Sequence, residues 1–253
     1  MPTGEGHVTG RCCVLVYASP DDAFMTKVSL EQFMRDELNN ASTISLKGKL
    51  ESEVTKMVKE QLARPEDASL LGEWVRQIVV VGWPIPLLSR GLSFVDLPGT
   101  SKTDAKEIQD FLKDVLAVMR APGMLMIYRN ESFADDELAC YEFFSDALPK
   151  GDAEQDPVIC FVKSHFDLES LQVSNMTTDI WKSKASSCFK MLRERNLLTG
   201  TEQLGTDYAT TKTFTCVSAL EASKTRVRPN QYATEVWHEF TTRISAFFLH
   251  LQR

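Results

Sequence analysis

Residues 91–103 read GLSFVDLPGTSKT, and this stretch decides how the rest of the chain is interpreted. Its apolar start, LSFV, predicts a short strand, and the turn-forming sequence DLPG ends that strand before a helix that begins near residue 103 or 104. Asp96 thus follows a buried strand, where a carboxylate can hold a hydrated Mg²⁺. Gly99 lacks a Cβ, so its N–H can approach a phosphate oxygen closely. The stretch predicts the phosphate-sensing half of a nucleotide switch, with an ordinary strand-to-helix turn as the alternative.

The composition favours one large globular domain. The chain has 253 residues, of which 43% are hydrophobic and 25% are charged, and this is enough apolar material for a sizeable core. The formal net charge is −7 at pH 7. Because a phosphate backbone is normally bound by a basic face, no nucleic-acid partner is expected.

The cysteines and the N-terminal sequence bear on location. Six cysteines occur without a CxxC pair and without a histidine at zinc spacing, which predicts reduced, buried thiols in a cytosolic protein and no zinc site. The sequence opens without a secretory signal pattern. No run approaches the roughly 18 apolar residues of a membrane helix. These features predict a soluble, cytoplasmic protein.

Apolar runs and helical patterns alternate along most of the chain. Strands are predicted at residues 12–18, 78–81, 92–95, 124–128, 157–162 and 213–217. Helices are predicted from the capping box at residue 29, over 45–63, from 103 or 104 to 119, over about 135–148 and 180–195, and within 231–253. Such alternation is typical of a parallel sheet. The expected fold class is α/β, with a mostly parallel sheet covered by helices on both faces and ligands at the carboxyl ends of its strands.

Three further positions have side chains or turns that suit a nucleotide. Thr9 lies on a glycine-rich loop, where its hydroxyl can complete Mg²⁺ coordination, although a solvated threonine fits the same loop. Asp167 follows a predicted strand, and its carboxylate can accept hydrogen bonds from the N1–H and N2–H₂ edge of guanine; a helix N-cap is the alternative. The small turn at Ser218 and Ala219 lets a backbone N–H reach the guanine O6.

Four segments in this order resemble the dynamin superfamily of large GTPases, and most closely its mitofusin and fuzzy-onion branch. MPTGEGHVT at 1–9 is similar to the switch-one segment of that family, and VDLPG at 95–99 to its third GTPase motif. SHFD at 164–167 is similar to the base-recognition motif, and CVSAL at 216–220 to the fifth motif. The resemblance covers nearly the whole chain. It implies one dynamin-type G domain over 1–253, with 231–253 a C-terminal helix that leads toward a stalk.

The resemblance also implies a role for each matched residue. Thr9 would contact Mg²⁺ and the attacking water, Asp96 would bind Mg²⁺ through water, and Gly99 would sense the γ-phosphate. The other matched positions would surround the base: Ser164, His165, Asp167, Ser218 and Ala219. The implied cofactors are GTP or GDP and Mg²⁺, whose binding would be weakened or lost without the family's phosphate-binding loop. The implied partners are guanine nucleotide and a second copy of the domain, with membrane association only indirect or through segments absent from these residues.

Two departures from the family pattern bear on activity. The base motif carries Ser164 and His165 where the family has Asn or Thr followed by Lys. The sequence contains no G-x-x-x-x-G-K-[ST], so the family's phosphate-binding loop, with its first strand and first helix, would lie before Met1. In related folds that strand sits beside the strand that ends at Asp96, so without it one row of backbone groups loses its partner unless the neighbouring strands close the gap.

Three functions remain open from the sequence. The first is a domain that hydrolyses GTP to GDP and phosphate when a phosphate-binding loop completes it. The second is a catalytically inactive pseudo-GTPase that serves as a protein-interaction module. The third is an unrelated α/β binding protein whose turns mimic the motifs.

Overall fold

The computed structural model describes residues 10–98, 106–118, 123–129, 133, 135–147, 158–164, 178–198, 207–217 and 231–251. The chain divides into two compact units, Met1–Met119 and Arg120–Arg253. Each unit contains its own sheet.

The first unit contains a five-stranded mixed sheet with the order β3-β2-β4-β1-β5. Its strands are β1 (Cys13–Tyr17), β2 (Phe24–Ser29), β3 (Ile44–Ser45), β4 (Gln77–Trp83) and β5 (Phe94–Asp96). Its described helices are α1 (Leu30–Met34), α2 (Glu51–Leu62), α3 (Leu71–Val75) and α4 (Lys106–Val118). Strands β1 and β4 are parallel, whereas β2 is antiparallel to β3 and β4, and β5 is antiparallel to β1.

One face of this sheet packs against α2. Val79 and Val81 are two residues apart on β4, so both side chains point to the same face. They form a buried cluster with neighbouring strand residues and with the apolar stripe of α2, which consists of Val54, Val58 and Leu62. The capping box predicted at the start of α1 is confirmed: Ser29 Oγ accepts from Gln32 N at 3.2 Å, and Ser29 N donates to Gln32 Oε1 at 2.9 Å.

The second unit contains a parallel sheet with the order β6-β7-β8. Its strands are β6 (Gly123–Tyr128), β7 (Val158–Lys163) and β8 (Phe214–Cys216). Its described helices are α5 (Asp135–Ala147), α6 (Thr178–Glu194) and α7 (Gln231–Leu251). Aromatic side chains fill the core, with Trp181, Phe133, Phe161 and Phe214 completely buried. Edge-to-face ring contacts link several of them, for example Phe133 and Phe161 at 5.8 Å between centroids.

A polar network joins α7 to the segment before β8. Glu239 Oε1 accepts hydrogen bonds from Tyr208 OH at 2.7 Å and from Arg243 Nη2 at 2.9 Å. Arg243 also donates to the Thr211 carbonyl at 2.8 Å, and its guanidinium lies 4.4 Å from the centre of the Tyr208 ring. These contacts hold the segment that enters β8 against α7.

The α/β fold class is confirmed, but parallel pairing prevails only in the second sheet. The first sheet has one parallel pair, β1 with β4, because β2 is antiparallel to both β3 and β4, and β5 is antiparallel to β1. Asp96 is the last residue of β5 rather than the residue after it. Most boundaries agree with the sequence within a few residues. The 45–63 helix is shorter, because residues 44 and 45 form β3 and α2 begins only at Glu51.

Candidate functional site

Asp96 lies beside the first residue of β1. Antiparallel pairing aligns Asp96 with Cys13, Val95 with Val14 and Phe94 with Leu15. A parallel arrangement would have carried the Asp96 carboxylate toward the other end of β1, near Tyr17. The antiparallel register instead directs it to the end of β1 that the N-terminal segment enters.

Burial shapes the chemistry around Asp96. The carboxyl is half-buried, and loss of hydration raises its pKa above the ordinary value. Burial also raises the pKa of the neighbouring Cys13 thiol to about 12, and the negative charge of Asp96 adds to that rise. A partly desolvated carboxylate next to the buried Cys13 thiol gains most from a cation that approaches from the solvent side. This environment suits Mg²⁺ held through water.

The described residues do not by themselves make a complete metal site. Within the described ranges, no group of three or more His, Cys, Asp or Glu side chains could hold a metal ion. Asp96 can therefore supply one oxygen ligand or one hydrogen bond to a metal-bound water. The remaining ligands would come from a nucleotide and from residues outside the described ranges, which include Thr9 and Gly99.

The entry to β1 is firmly anchored by residues that the sequence did not point to. Gly10 N donates to the Leu62 carbonyl at 3.3 Å, and a Cβ on Gly10 would lie 2.7 Å from the Trp74 ring. Arg11 is 3% exposed; its guanidinium donates to the Gln61 carbonyl from Nε at 2.8 Å and lies 4.5 Å from the centre of the Trp74 ring. Burial lowers the pKa of Arg11 to about 10. The chain that leaves Thr9 is thus tied to the carboxyl end of α2.

Arg11 gave no sequence signal that could be interpreted, because a single arginine before a strand is usually exposed. Its use here follows from geometry. The last carbonyls of a helix lack intrahelical partners, and a guanidinium satisfies several of them at once.

Ser164 follows β7 and is hydrogen-bonded to the end of β6. Its N–H and its hydroxyl both donate to the Tyr128 carbonyl, at 2.8 and 2.9 Å. The hydroxyl thus links two strand ends. His165 and Asp167 lie outside the described residues.

The end of β8 lies next to the end of β7. Val217 N donates to the Lys163 carbonyl at 2.9 Å, and Lys163 pairs in register with Cys216. Because β7 and β8 are parallel neighbours, the segments that follow them leave the same edge of the sheet. Ser218 and Ala219, which come next, lie outside the described residues.

Of the predicted site residues, the structure therefore describes two. Asp96 ends β5 in the first unit, and Ser164 follows β7 in the second unit. The other six, Thr9, Gly99, His165, Asp167, Ser218 and Ala219, lie in the undescribed segments.

An open groove in the second unit contains none of the predicted residues. It lies between α6 and residues 207–209, and Lys182, Lys190 and Arg193 line it together with Asp207. Lys190 is already paired with Glu194 at 3.6 Å on an exposed face. The groove has the character of a solvated helix surface.

None of the described helices combines the length and the apolar character needed to cross a membrane.

No protein-family model and no curated protein matches the chain. One solved structure that aligns with it is described as an oligomerised bacterial dynamin pair that provides a mechanism for the long-range sensing and tethering of membranes. That alignment covers 100% of this chain, at 14% identity and a TM-score of 0.47. A second structure with the same description aligns over 98%, at 12% identity and a TM-score of 0.43. This chain spans 42% and 35% of those two chains.

Proposed function

We propose that the chain is the guanine-nucleotide-binding domain of a dynamin-like GTPase. The observation that carries this proposal is the parallel order β6-β7-β8. The two segments with base-reading residues follow β7 and β8, which are direct neighbours in that sheet. Parallel strands end at one edge, and ligands of such sheets bind there.

Guanine would be read by the segments after β7 and β8. The Asp167 carboxylate accepts from the N1–H and N2–H₂ groups of guanine, and a backbone N–H at Ser218 or Ala219 donates to O6. Adenine presents neither the paired donors nor the O6 acceptor. His165 takes the motif position after Ser164, and Ser164 supports this segment through its bonds to Tyr128.

The Mg²⁺ end of the site would involve Asp96 and Thr9. Thr9 precedes Cys13 by four residues, and four residues of extended chain reach at most about 14 Å. Since Cys13 pairs with Asp96, a connection of this length would allow Thr9 and Asp96 to act on the same ion. When bound, Mg²⁺ would neutralise charge on the phosphate oxygens. Thr9 would hold the attacking water, and the Gly99 N–H would donate to the γ-phosphate.

The phosphate-binding loop would come from a strand outside the printed residues. Within the first sheet, β5 is an edge strand, and its described partner is β1. An open edge next to Asp96 can accept a further strand through backbone hydrogen bonds. With such a loop present, the domain would hydrolyse GTP to GDP and phosphate by in-line attack of water.

A pseudo-GTPase that acts as a protein-interaction module is the second candidate. It is favoured by Ser164 and His165, which occupy the positions where the base motif of the resembled family has Asn or Thr followed by Lys. Both candidates include a cytoplasmic domain that pairs with a second copy and that associates with membranes only indirectly or through other segments.

Titration with a fluorescent GTP analogue, with and without a Mg²⁺ chelator, tests the proposal. We expect chelator-sensitive binding that GTP competes for at least ~100-fold better than ATP, because unpaired polar groups in a site reject the wrong base strongly. Asp167→Ala should remove most of this preference, and Asp96→Ala should remove the chelator sensitivity.

Asp110→Ala is the matched control, because Asp110 is an exposed carboxylate on α4. It should change neither property. Equal competition by GTP and ATP would refute the guanine assignment. In a protein that also includes the loop-bearing segment, release of phosphate separates the enzyme from the pseudo-GTPase: binding without turnover there favours the interaction module.

A further inference from the structure

Lys163 is a completely buried lysine at the end of β7. Its exposed fraction is 0%, and it follows five strand residues that are all apolar or cysteine. Lysine is among the residues most rarely buried, because its charged group loses hydration unless other polar groups replace the water. A buried lysine at the ligand-binding edge of a parallel sheet therefore requires an explanation.

The side chain of Lys163 bonds to the ends of two strands. Its Nζ donates to the carbonyl of Arg129, the residue directly after β6, and to the carbonyl of Ser164 at 3.1 Å. Arg129 is also held from the other side, since its N–H donates to Glu137 Oε1 at 2.7 Å. The chain leaving β6 and the chain leaving β7 are thus bonded to the same nitrogen.

The main chain of Lys163 bonds to the third strand. Its carbonyl accepts from Val217 N at 2.9 Å, directly after β8. One residue therefore contacts the carboxyl ends of β6, β7 and β8. Four residues separate Lys163 from Asp167, and Ser218 is the next residue after Val217.

We propose that Lys163 is a positioning residue that holds the three strand ends from which the guanine-reading segments start. This inference rests on the proposed function. In this role, Lys163 does not contact the base itself. Its Nζ is directed at two carbonyls inside the protein, and the buried side chain offers no surface for a base to stack on.

Lys163→Met tests this role, because methionine has a similar length and leaves the two carbonyls without their shared donor. The readout is the ratio of the Kd values for inosine triphosphate and GTP. Inosine lacks the N2 amino group, so this ratio reports how well the Asp167 carboxylate is aligned with the guanine edge. We expect the ratio to fall about tenfold, because small misplacements of a binding group have large effects.

Cys160→Ala is the matched control. Cys160 is buried in the same strand, so its truncation also loosens the core, but it has no bond to the strand ends. We expect Cys160→Ala to leave the ratio unchanged. A folded Lys163→Met protein with the wild-type ratio would overturn the positioning role. A wild-type protein that binds both nucleotides equally would overturn the role of Asp167 and this inference with it.

Lys163→Gln keeps the test decisive if the methionine variant does not fold. Glutamine retains a donor but is too short to reach both carbonyls. The Ser164 amide donates to the Tyr128 carbonyl, and the Val217 amide donates to the Lys163 carbonyl. Hydrogen exchange at these two amides then measures directly how firmly the strand ends are held together. We expect about tenfold faster exchange at both amides than in Cys160→Ala. Unchanged exchange there would also overturn the inference.

Discussion

The two sheets of this protein bring polar groups to a strand end in different ways. In the first sheet, Asp96 lies beside the start of β1 because β5 runs antiparallel to it. In the second sheet, three parallel strands end together, and Val217, directly after β8, donates to the Lys163 carbonyl at the end of β7. In an antiparallel pair, the end of one strand therefore lies beside the start of its neighbour. In a parallel pair, the carboxyl ends of both strands lie together.

Both units also bury a cation that is bonded to main-chain carbonyls. Arg11 bonds to the carboxyl end of α2 and to the Trp74 carbonyl, where β1 begins. Lys163 bonds to the chain after β6 and β7, where strands end. Each unit thus holds the segment next to a candidate site residue by the same physical means: a buried basic side chain whose N–H groups replace water at main-chain carbonyls.

The largest effect is expected from Trp181→Ala, which tests whether the two units respond separately. Trp181 is completely buried in the core of the second unit, so its removal should lower the free energy of unfolding by about 3–5 kcal/mol. Hydrogen exchange should increase in β7 and β8 and change little in β4. Trp237→Ala is the control: this side chain is 41% exposed, and we expect a loss of about 1 kcal/mol. Equal loss of protection in β4 would show that the units unfold together.

A smaller effect is expected from Arg11→Met in the first unit. The methionine leaves buried carbonyls at Gln61 and Trp74 without their donor, so we expect a loss of about 2–4 kcal/mol in urea denaturation. Arg35→Met is the matched control, because Arg35 forms an exposed ion pair with Glu31 that contributes at most about 0.5 kcal/mol. A similar loss in both variants would contradict the anchoring role of Arg11.

The smallest effect, and one of opposite sign, is expected from Asp96→Asn. Burial raises the pKa of Asp96 in the folded state, so the folded protein holds this proton more tightly than the unfolded chain. The carboxyl therefore lowers stability progressively as the pH rises from about 4, its unfolded pKa, through its raised folded pKa. Asparagine removes this penalty, so without Mg²⁺ the Tm should rise at pH 7, and the gain should shrink at acidic pH.

Thermal unfolding over a series of pH values measures this difference. Asp110→Asn, an exposed change on α4, should have no such pH dependence. A lower Tm for Asp96→Asn at pH 7 would mean that the carboxylate already has a stabilising partner.

The strands with continuous apolar sequence were predictable. Residues 78–81 and 158–162 are buried on both faces, and their sequences contain almost no polar residues, so hydrophobicity identifies them without tertiary information. The capping box at Ser29 was predictable for a related reason, since its two hydrogen bonds lie within four residues. The direction of β5 was not predictable, because a strand of three residues carries no signal about which strand it pairs with or whether that pairing is parallel.

By itself, the sequence determined the α/β class and the order of most helices and strands; it gave no sign of β2, which pairs with both β3 and β4. These properties depend on local periodicity and on short-range hydrogen bonds. Only the tertiary structure decided that β5 is antiparallel to β1, that Arg11 holds α2 and that Lys163 bonds three strand ends. Each of these joins segments far apart in the chain, and the free energy of such contacts depends on burial and register, which no single stretch of sequence encodes.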